Sequence, residues 1–527
     1  MALDDNDGKL SNISESDHGG EAKEYDHDAI SKNEAGAGGE STSSGGEAAV
    51  TSKEGPPTVE VDWEEDSKNP YNWPMKKRIY HTVLTGMFGL VVTFASSVYT
   101  SAIPEIIEVF HVSEAAALLP FTLFLLGLAF GPVLAAPLSE RFGRTATYLI
   151  SLPIFALFIL GAGWAQTFGG LVACRLLAGI FASPPLVVGA GTNADLWKPE
   201  SRAVMATLFA VCPYLGPALG QVYKSGFAVA NKGWRWTEWI ILFFAVFTYA
   251  LALGMKETYK KTILQRHAKS LGIEVAPGPS GLVALRFVFY ITFFRPLHML
   301  YTEPIVIAWS VYIAFNFAVL YSFFAAFPFV YASVYGFDIQ QIGLTFIALA
   351  IGSILGSLTV ILVDRLWYQK LHASKNSQWN TGVVPPEYRL YAAMIGSFGL
   401  PVGLFWYAWT ARAGIHWISS VIASVFIAWG NLCVFMCGML YLLDVYEALM
   451  GASAIAATSL LRYILAAVFP LFITPMYTRL GIGWATSVFA FISVALMPIP
   501  WVLFKWGPNL RNSSKLAKAS PQATAQS

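Results

Sequence analysis

Charged side chains inside long apolar segments are the first candidates for chemistry in this sequence. Arg175 and Arg462 each interrupt a run of apolar residues, and Glu303 and Asp444 lie near the ends of two others. An ionised side chain is costly inside a membrane and usually marks a path for ions, protons or substrate. Two structural alternatives stay open. Arg175 could extend to the membrane surface, and the two acids could be helix-end charges that reach water.

Aromatic and amide side chains form a second group, which we expect to line a cavity between helices. They are Tyr99, Trp309, Tyr312, Asn316, Tyr321, Phe324, Phe327 and Asn431. Aromatic faces with few fixed charges suit amphipathic, flat or aromatic ligands. The alternative for each of these residues is packing between helices or contact with lipid.

The sequence has no pattern that indicates catalysis or a bound cofactor. The eight histidines are scattered, no Ser/His/Asp or metal-ligand cluster lies in one loop, and the phosphate-binding pattern GxxxxGK[ST] is absent. The four cysteines lie in apolar runs and are expected to be packing residues. We therefore expect neither an enzyme nor an ATP-driven pump, with no metal ion and no cofactor.

The amino-acid composition predicts that these candidate residues lie in a membrane-embedded part of the chain. Of the 527 residues, 55% are hydrophobic and only 13% charged, with a mean hydropathy of +0.53, whereas soluble domains carry about a quarter charged residues. Residues 1–75 contain 18 acidic and 5 basic residues, and the remainder contains 29 basic and 15 acidic ones. This split predicts a disordered acidic cytosolic tail, 1–75, joined to an all-α polytopic membrane protein.

Twelve windows in the body are long and apolar enough to span a membrane, which takes about 20 residues each. They are approximately 80–103, 115–137, 146–166, 170–192, 203–222, 236–255, 302–326, 340–363, 389–410, 417–441, 452–475 and 483–505. A long connection divides them six and six. The predicted domains are an N-terminal six-helix bundle (76–255), a cytosolic central linker (256–301), a C-terminal six-helix bundle (302–506) and a cytosolic tail (507–527).

The basic residues in the loops predict the orientation. With the N-terminus inside, the cytosolic segments hold 22 Lys and Arg and the outer loops only 5, so both termini should be cytosolic. Two six-helix halves joined by a basic linker indicate a secondary transporter built from repeats. A twelve-span channel or a non-transporting receptor or sensor is the alternative, and no nucleic-acid partner is expected.

A charged loop after the second span supports this prediction. It contains Glu140, Arg141, Gly143 and Arg144, and it resembles the G-x-L-A-D-R-x-G-R-R loop of the major facilitator superfamily. That resemblance implies a charge latch that holds the two halves shut on the cytosolic side. Asp364 and Arg365 lie at the end of the eighth span and look like a degenerate copy of this charged loop. The alternative is a positive-inside anchor with a chance glycine.

Two further motifs strengthen the resemblance. Arg175 and Gly179 are similar to the superfamily's R-x-x-x-G signature, in which the Arg is implicated in proton handling. Gly216, Pro217 and Gly220 resemble the G-P-x-x-G-G antiporter signature of proton-coupled exporters, with Gln221 in place of the last Gly. Arg175 is a candidate for proton coupling through this resemblance, and Glu303, Asp444 and Arg462 are candidates because their charges lie within spans or at span ends. Generic packing of small residues is the alternative for the glycine motif.

Shorter strings narrow the family further. They lie at 69–74, 191–202, 234–239, 256–259, 295–304, 441–454 and 469–471. In this order they look like the fungal twelve-span drug:proton antiporters, in particular the polyamine and multidrug exporters, and the resemblance covers about 63–506. It implies a monomer that exports a secondary metabolite, toxin or drug in exchange for protons.

Other substrates and another membrane stay open as alternatives. A polyamine would need several cavity carboxylates, of which the sequence offers few, and an organic acid would suit Arg175 and Arg462. The resemblance implies the plasma membrane, with the vacuolar membrane as the alternative.

Overall fold

The computed structural model describes residues 63–223, 232–270, 286, 289–373, 384–514 and 516. Most of the predicted acidic tail and of the C-terminal tail therefore lies outside the described residues. Within them the chain is helical and contains no strand. This agrees with a membrane protein, because a helix satisfies its own backbone hydrogen bonds where water is absent.

Twelve helices of the described part correspond to the twelve predicted spans. They are α1 (Met75–Val98), α2 (Leu119–Phe130 followed by Pro132–Phe142), α3 (Arg144–Gly163), α4 (Phe168–Leu196), α5 (Pro199–Tyr223), α6 (Trp236–Ala252), α7 (Pro304–Tyr335), α8 (Ile347–Val363), α9 (Gly399–Thr410), α10 (Ile418–Tyr446), α11 (450–480) and α12 (482–513). Shorter helices precede four of them, at Ile103–Phe110, Arg295–Thr302, Ile339–Thr345 and Tyr391–Gly396.

The last two helices follow each other without a loop, but the chain reverses between them. The rings of Phe469 and Phe489 lie 5.7 Å apart, whereas 20 residues of straight helix would separate them by about 30 Å. Gly481 has a φ of +77° at the turn, a conformation that glycine adopts easily. The segment Met450–Ser513 therefore crosses the membrane twice.

Several helix boundaries differ from the hydropathy windows, and α1 and α7 are two examples. α1 begins at Met75, because three basic residues continue the helix beyond its apolar part. α7 extends to Tyr335 and ends at Gly336, whose φ is +67°, a common way for a helix to stop. The predicted linker is partly helical, with helices at Lys260–Ser270 and Arg295–Thr302; residues 271–285 lie outside the described part.

Helices of the same half pack against each other more extensively than helices of different halves do. In the first half α1 packs on α5 and α2 on α4, and in the second half α8 and α9 pack on α10. Between the halves α5 contacts α8, and Thr122 of α2 donates a hydrogen bond to the carbonyl of Ala467 of α11 at 3.2 Å. This arrangement positions the charged residues either inside one half or where the two halves meet.

Candidate functional site

A buried ion pair joins α4 and α6. Arg175 Nη2 lies 2.6 Å from Glu238 Oε1, and neither side chain is exposed. Arg175 Nη1 also donates to the carbonyl of Ala95 in α1 at 2.9 Å, and the guanidinium lies 4.7 Å from the centre of the Tyr99 ring. Arg175 therefore does not extend to the membrane surface, and that alternative is wrong. It is the meeting point of three helices.

Glu238 was not among the candidates from the sequence. It lies in the first turn of α6, directly after a tryptophan-rich segment, where an acid is usually a helix-end charge. The available signal was that Glu238 is the one charged residue in the whole of α6. A lone acid in an otherwise apolar span marks a functional site by default.

The loop between α2 and α3 holds a cluster around Arg144. Arg144 Nε lies 3.2 Å from Asp195 Oδ2, and Nη1 donates to Ser139 Oγ at 2.8 Å. The Glu257 carboxylate accepts hydrogen bonds from the backbone N–H groups of Arg144 and Thr145, at 2.8 and 3.2 Å. We call these residues (Ser139, Arg144, Asp195 and Glu257) the α3–α4 cluster.

The geometry of this cluster depends on Gly143. Its φ is +94°, and a Cβ at this position would collide with the Glu257 carboxylate. Of the other predicted latch residues, Arg141 is exposed, and the side chain of Glu140 lies outside the described part of the structure. The acid that the structure brings to Arg144 is Asp195 of α4.

The second half contains a matching cluster around Arg389. Arg389 Nη1 lies 2.9 Å from Asp364 Oδ1, and Nε lies 2.9 Å from Asp444 Oδ2. Gln369 donates to the other Asp364 oxygen at 2.8 Å, and Arg365 is exposed. We call Asp364, Arg389 and Asp444 the α9–α10 cluster. Asp444, a candidate for proton coupling, thus lies beside the predicted latch residue Asp364.

The two clusters are related in position. Arg144 begins the third helix of the first half and pairs with Asp195 at the end of the fourth. Arg389 precedes the third helix of the second half and pairs with Asp444 near the end of the fourth. The same pairing in both halves is expected of a fold built from repeats.

The glycines of the antiporter-like motif lie against α1. A Cβ on Gly216 would collide with Thr93 Oγ1 and lie 2.7 Å from the carbonyl oxygen of Leu90, and one on Gly220 would collide with Ser97 Oγ. Pro217 lies between them inside α5. The two helix backbones therefore approach so closely that only glycine fits at these positions.

Glu303 lies at the N-terminus of α7 and accepts a hydrogen bond from the Tyr446 hydroxyl at 2.8 Å. Its side chain is buried. Among the described residues, no Lys or Arg lies within 4.0 Å of its carboxylate. Glu303 differs in this from Glu238 and Asp444, each of which is held by an arginine.

Arg462 of α11 is surrounded by aromatic rings. Its guanidinium carbon lies 4.8 Å from the ring centre of Phe317, 4.9 Å from that of Phe435 and 4.6 Å from that of Tyr463. We call these four residues the Arg462 cage. The arginine is only 8% exposed.

Three of the predicted cavity residues lie close to this cage, where the two halves meet. Tyr214 of α5 donates to Asn431 Oδ1 at 3.0 Å, and Asn431 donates to the carbonyl of Asn316 at 2.6 Å. The hydroxyl groups of Ser96 and Tyr321 lie 3.3 Å apart and join α1 to α7. Asn316 and Asn431 are therefore in direct contact, and Tyr321 lies beside Phe317 of the cage.

The ring of Phe324 also lies in this region, 5.1 Å from that of Tyr321, and the remaining predicted cavity residues lie elsewhere. Tyr99 packs on Arg175, Trp309 stacks on Tyr312, and Phe327 stacks on Tyr407 of α9. All eight candidates are buried inside the helix bundle. Contact with lipid, one of the alternatives for these residues, is therefore wrong.

Comparisons with known proteins agree with this architecture. A family model described as Major Facilitator Superfamily matches residues 85–470. The chain is 39% identical to polyamine transporter 4 of Saccharomyces cerevisiae, over 89% of this chain and 74% of that protein. It is 34% identical to the efflux pump radE of Floropilus chiversii, over 90% of this chain and 89% of that protein.

A multidrug transporter and a solved structure are also similar. The chain is 36% identical to the major facilitator superfamily multidrug transporter mdrA of Aspergillus fumigatus, over 88% of this chain and 76% of that protein. The xylose transporter XylE from E. coli, in a partially occluded inward open conformation, superposes with a TM-score of 0.58 at 17% identity. That match covers 82% of this chain and 98% of XylE.

Proposed function

The chain belongs to the major facilitator superfamily, and we propose that it exports a small organic compound across the membrane in exchange for protons. The chain is a multi-pass membrane transporter and not an enzyme. The direction of transport, the driving ion and the substrate class are proposed. The substrate class is a secondary metabolite, toxin or drug.

The direction is supported by α5. Gly216, Pro217 and Gly220 resemble the antiporter signature, and both glycines pack directly on α1. Relatives that cover most of the chain are named as an efflux pump and a multidrug transporter. Export is the direction that fits both observations.

The observation that carries the coupling is the buried pair of Arg175 and Glu238. A carboxylate buried away from water stays ionised only while a cation lies beside it. A helix movement that withdraws Arg175 would therefore make Glu238 bind a proton, and the return movement would release it. Glu303 and Asp444 remain candidates for the same role, and they are tested alongside Glu238.

The two charged clusters would control which side of the transporter is open. In each cluster one arginine holds the end of a helix in its own half. Breaking either cluster should change the balance between the open states more than it changes insertion. The basic loops favour cytosolic termini, and the resemblance to fungal drug exporters favours the plasma membrane as the location.

Polyamine export is a second candidate, favoured by the 39% identity to polyamine transporter 4. Binding a polycation requires free carboxylates. Among the described residues, however, Asp195, Glu238, Asp364 and Asp444 are each paired with an arginine. Glu303 alone would be a weak site for such a substrate, so we rank this candidate second.

The test is export from yeast cells that lack their own drug exporters. Cells that express the protein should accumulate less of a labelled xenobiotic, and an uncoupler should restore the accumulation. Glu238→Gln should abolish export against a gradient, and Glu114→Gln, at an exposed position, is the matched control. Glu303→Gln and Asp444→Asn are measured in the same assay.

Each outcome decides a separate point. Export that persists undiminished after uncoupling would reject proton coupling. Full export by Glu238→Gln at normal abundance would reject Glu238 as the proton carrier. Higher accumulation in expressing cells than in control cells would reject the direction.

A further inference from the structure

Arg462 differs from three other arginines of the helix bundle in what lies around it. Arg144, Arg175 and Arg389 each lie within 3.2 Å of a carboxylate oxygen. Among the described residues, no carboxylate lies within 4.0 Å of Arg462. Its Nε atom is buried without a hydrogen-bond partner there, as is the Nε atom of Arg175, so the missing carboxylate is what distinguishes Arg462.

The three aromatic rings of the Arg462 cage do not compensate the arginine's charge in the way that a carboxylate would. Aromatic rings attract the guanidinium through their faces, but they accept none of the in-plane hydrogen bonds that its five N–H groups can donate. A largely buried guanidinium without a carboxylate beside it is costly, and a charge inside a membrane usually marks a functional site. The position is therefore suited to an anion that arrives from outside the chain.

The Arg462 cage lies inside the helix bundle, where side chains of the two halves meet. Arg462 lies 12 residues beyond the start of α11 at Met450, or about 18 Å along the helix. The Tyr214 ring of α5 lies 5.3 Å from Phe435, and the Tyr321 ring lies 4.6 Å from Phe317. Through Tyr214 and Ser96 the first half reaches the same group of rings.

We propose that the Arg462 cage binds the anionic group of the transported compound, so that the substrate is an aromatic or flat amphipathic acid. The inference rests on the proposed export function and narrows its substrate. Arg462 would hold a carboxylate through two parallel hydrogen bonds, and the rings of Phe317, Phe435 and Tyr463 would pack on the apolar body. A polyamine would be repelled by the same charge.

The experiment measures binding to the purified full-length protein in detergent. The probes are 2-naphthoate, its neutral analogue 2-naphthamide and the cation 2-naphthylmethylammonium, which share one ring system. Wild type should bind 2-naphthoate at least about tenfold more tightly than the other two probes, since a charge-assisted pair is lost in both. Arg462→Gln should remove that preference and leave 2-naphthamide binding unchanged.

Two further variants keep the test decisive. Arg462→Lys retains the charge without the planar fork and should bind 2-naphthoate with intermediate affinity, even if Arg462→Gln does not fold. Arg479→Gln, at an exposed position, should bind like wild type. Equal affinity of wild type for the acid and the amide, or unchanged acid binding in both Arg462 variants, would overturn the proposal.

The binding assay also separates this inference from the transport proposal. Equilibrium binding requires neither a proton gradient nor a direction. Binding that depends on Arg462 in a protein that exports nothing would support the anion site and reject export. Export of 2-naphthamide as fast as 2-naphthoate by wild type would support export and reject the anion site.

Discussion

Arg175 Nη2 and Glu238 Oε1 lie 2.6 Å apart with neither side chain exposed, so each charge is compensated by the other. Removal of one member of a buried pair leaves an unpaired charge and typically costs about 3–5 kcal/mol. Arg175→Gln should therefore lower the thermal stability strongly, and Arg175→Gln with Glu238→Gln should recover much of it. Thermal unfolding of the two single variants and the double variant measures this coupling. Additive losses would show that the two residues do not stabilise each other.

The sequence predicted the membrane helices well because their signal is local. About 20 apolar residues are needed to cross a bilayer, and all twelve windows overlap a helix of the structure. The boundaries were less accurate. Helices such as α7, which ends at Gly336, continue beyond the apolar part that a hydropathy window detects.

The charged sites were only partly predictable, since pairing over long sequence distances leaves no local pattern. Arg175 is recognisable because it interrupts an apolar run, but its partner Glu238 lies in another helix and resembles a helix-end acid. The sequence indicates only that Arg389 is a basic loop residue, and the structure brings it to Asp364 and Asp444. Motifs identified some members of each cluster, and the fold supplied the others.

Arg389 lies between two carboxylates, and its loss should be more harmful than the loss of either acid. Arg389→Gln leaves Asp364 and Asp444 facing each other without a cation, which is destabilising. Transport and thermal stability should both fall, and Asp364→Asn with Asp444→Asn in the same chain should restore part of the stability. Unchanged stability of Arg389→Gln would contradict the cluster.

Glu257 should stabilise the start of α3, because its carboxylate accepts hydrogen bonds from two backbone N–H groups there. Loss of such a cap typically costs about 1 kcal/mol, and the negative charge also suits the helix N-terminus. Glu257→Ala should lower the unfolding temperature, and Glu257→Gln should lower it less. Glu108→Ala, at an exposed position, is the control. Equal unfolding temperatures for all three variants would rule out a capping role.

Gly216 and Gly220 should not tolerate a side chain, because a Cβ at either position collides with α1. Overpacking of a tight contact typically costs about 1–3 kcal/mol. Gly216→Ala and Gly220→Ala should reduce both stability and export. Gly169→Ala is the control, since no atom lies within 4 Å of its added Cβ. Wild-type stability in both α5 variants would show that α1 and α5 accommodate the added methyl groups without a loss of stability.

The orientation can be tested with single cysteines, since exposed positions exist at both predicted surfaces. The four natural cysteines are first replaced, and Ser113→Cys and Ala413→Cys are placed in predicted outer loops, with Lys198→Cys and Lys370→Cys in inner ones. All four positions are exposed; Ser139 is unsuitable because it is buried against Arg144. A membrane-impermeant maleimide should label only the outer pair in intact cells, and all four after permeabilisation. Labelling of the inner pair in intact cells would reverse the predicted topology, and labelling of one residue from each pair would contradict the twelve-span count.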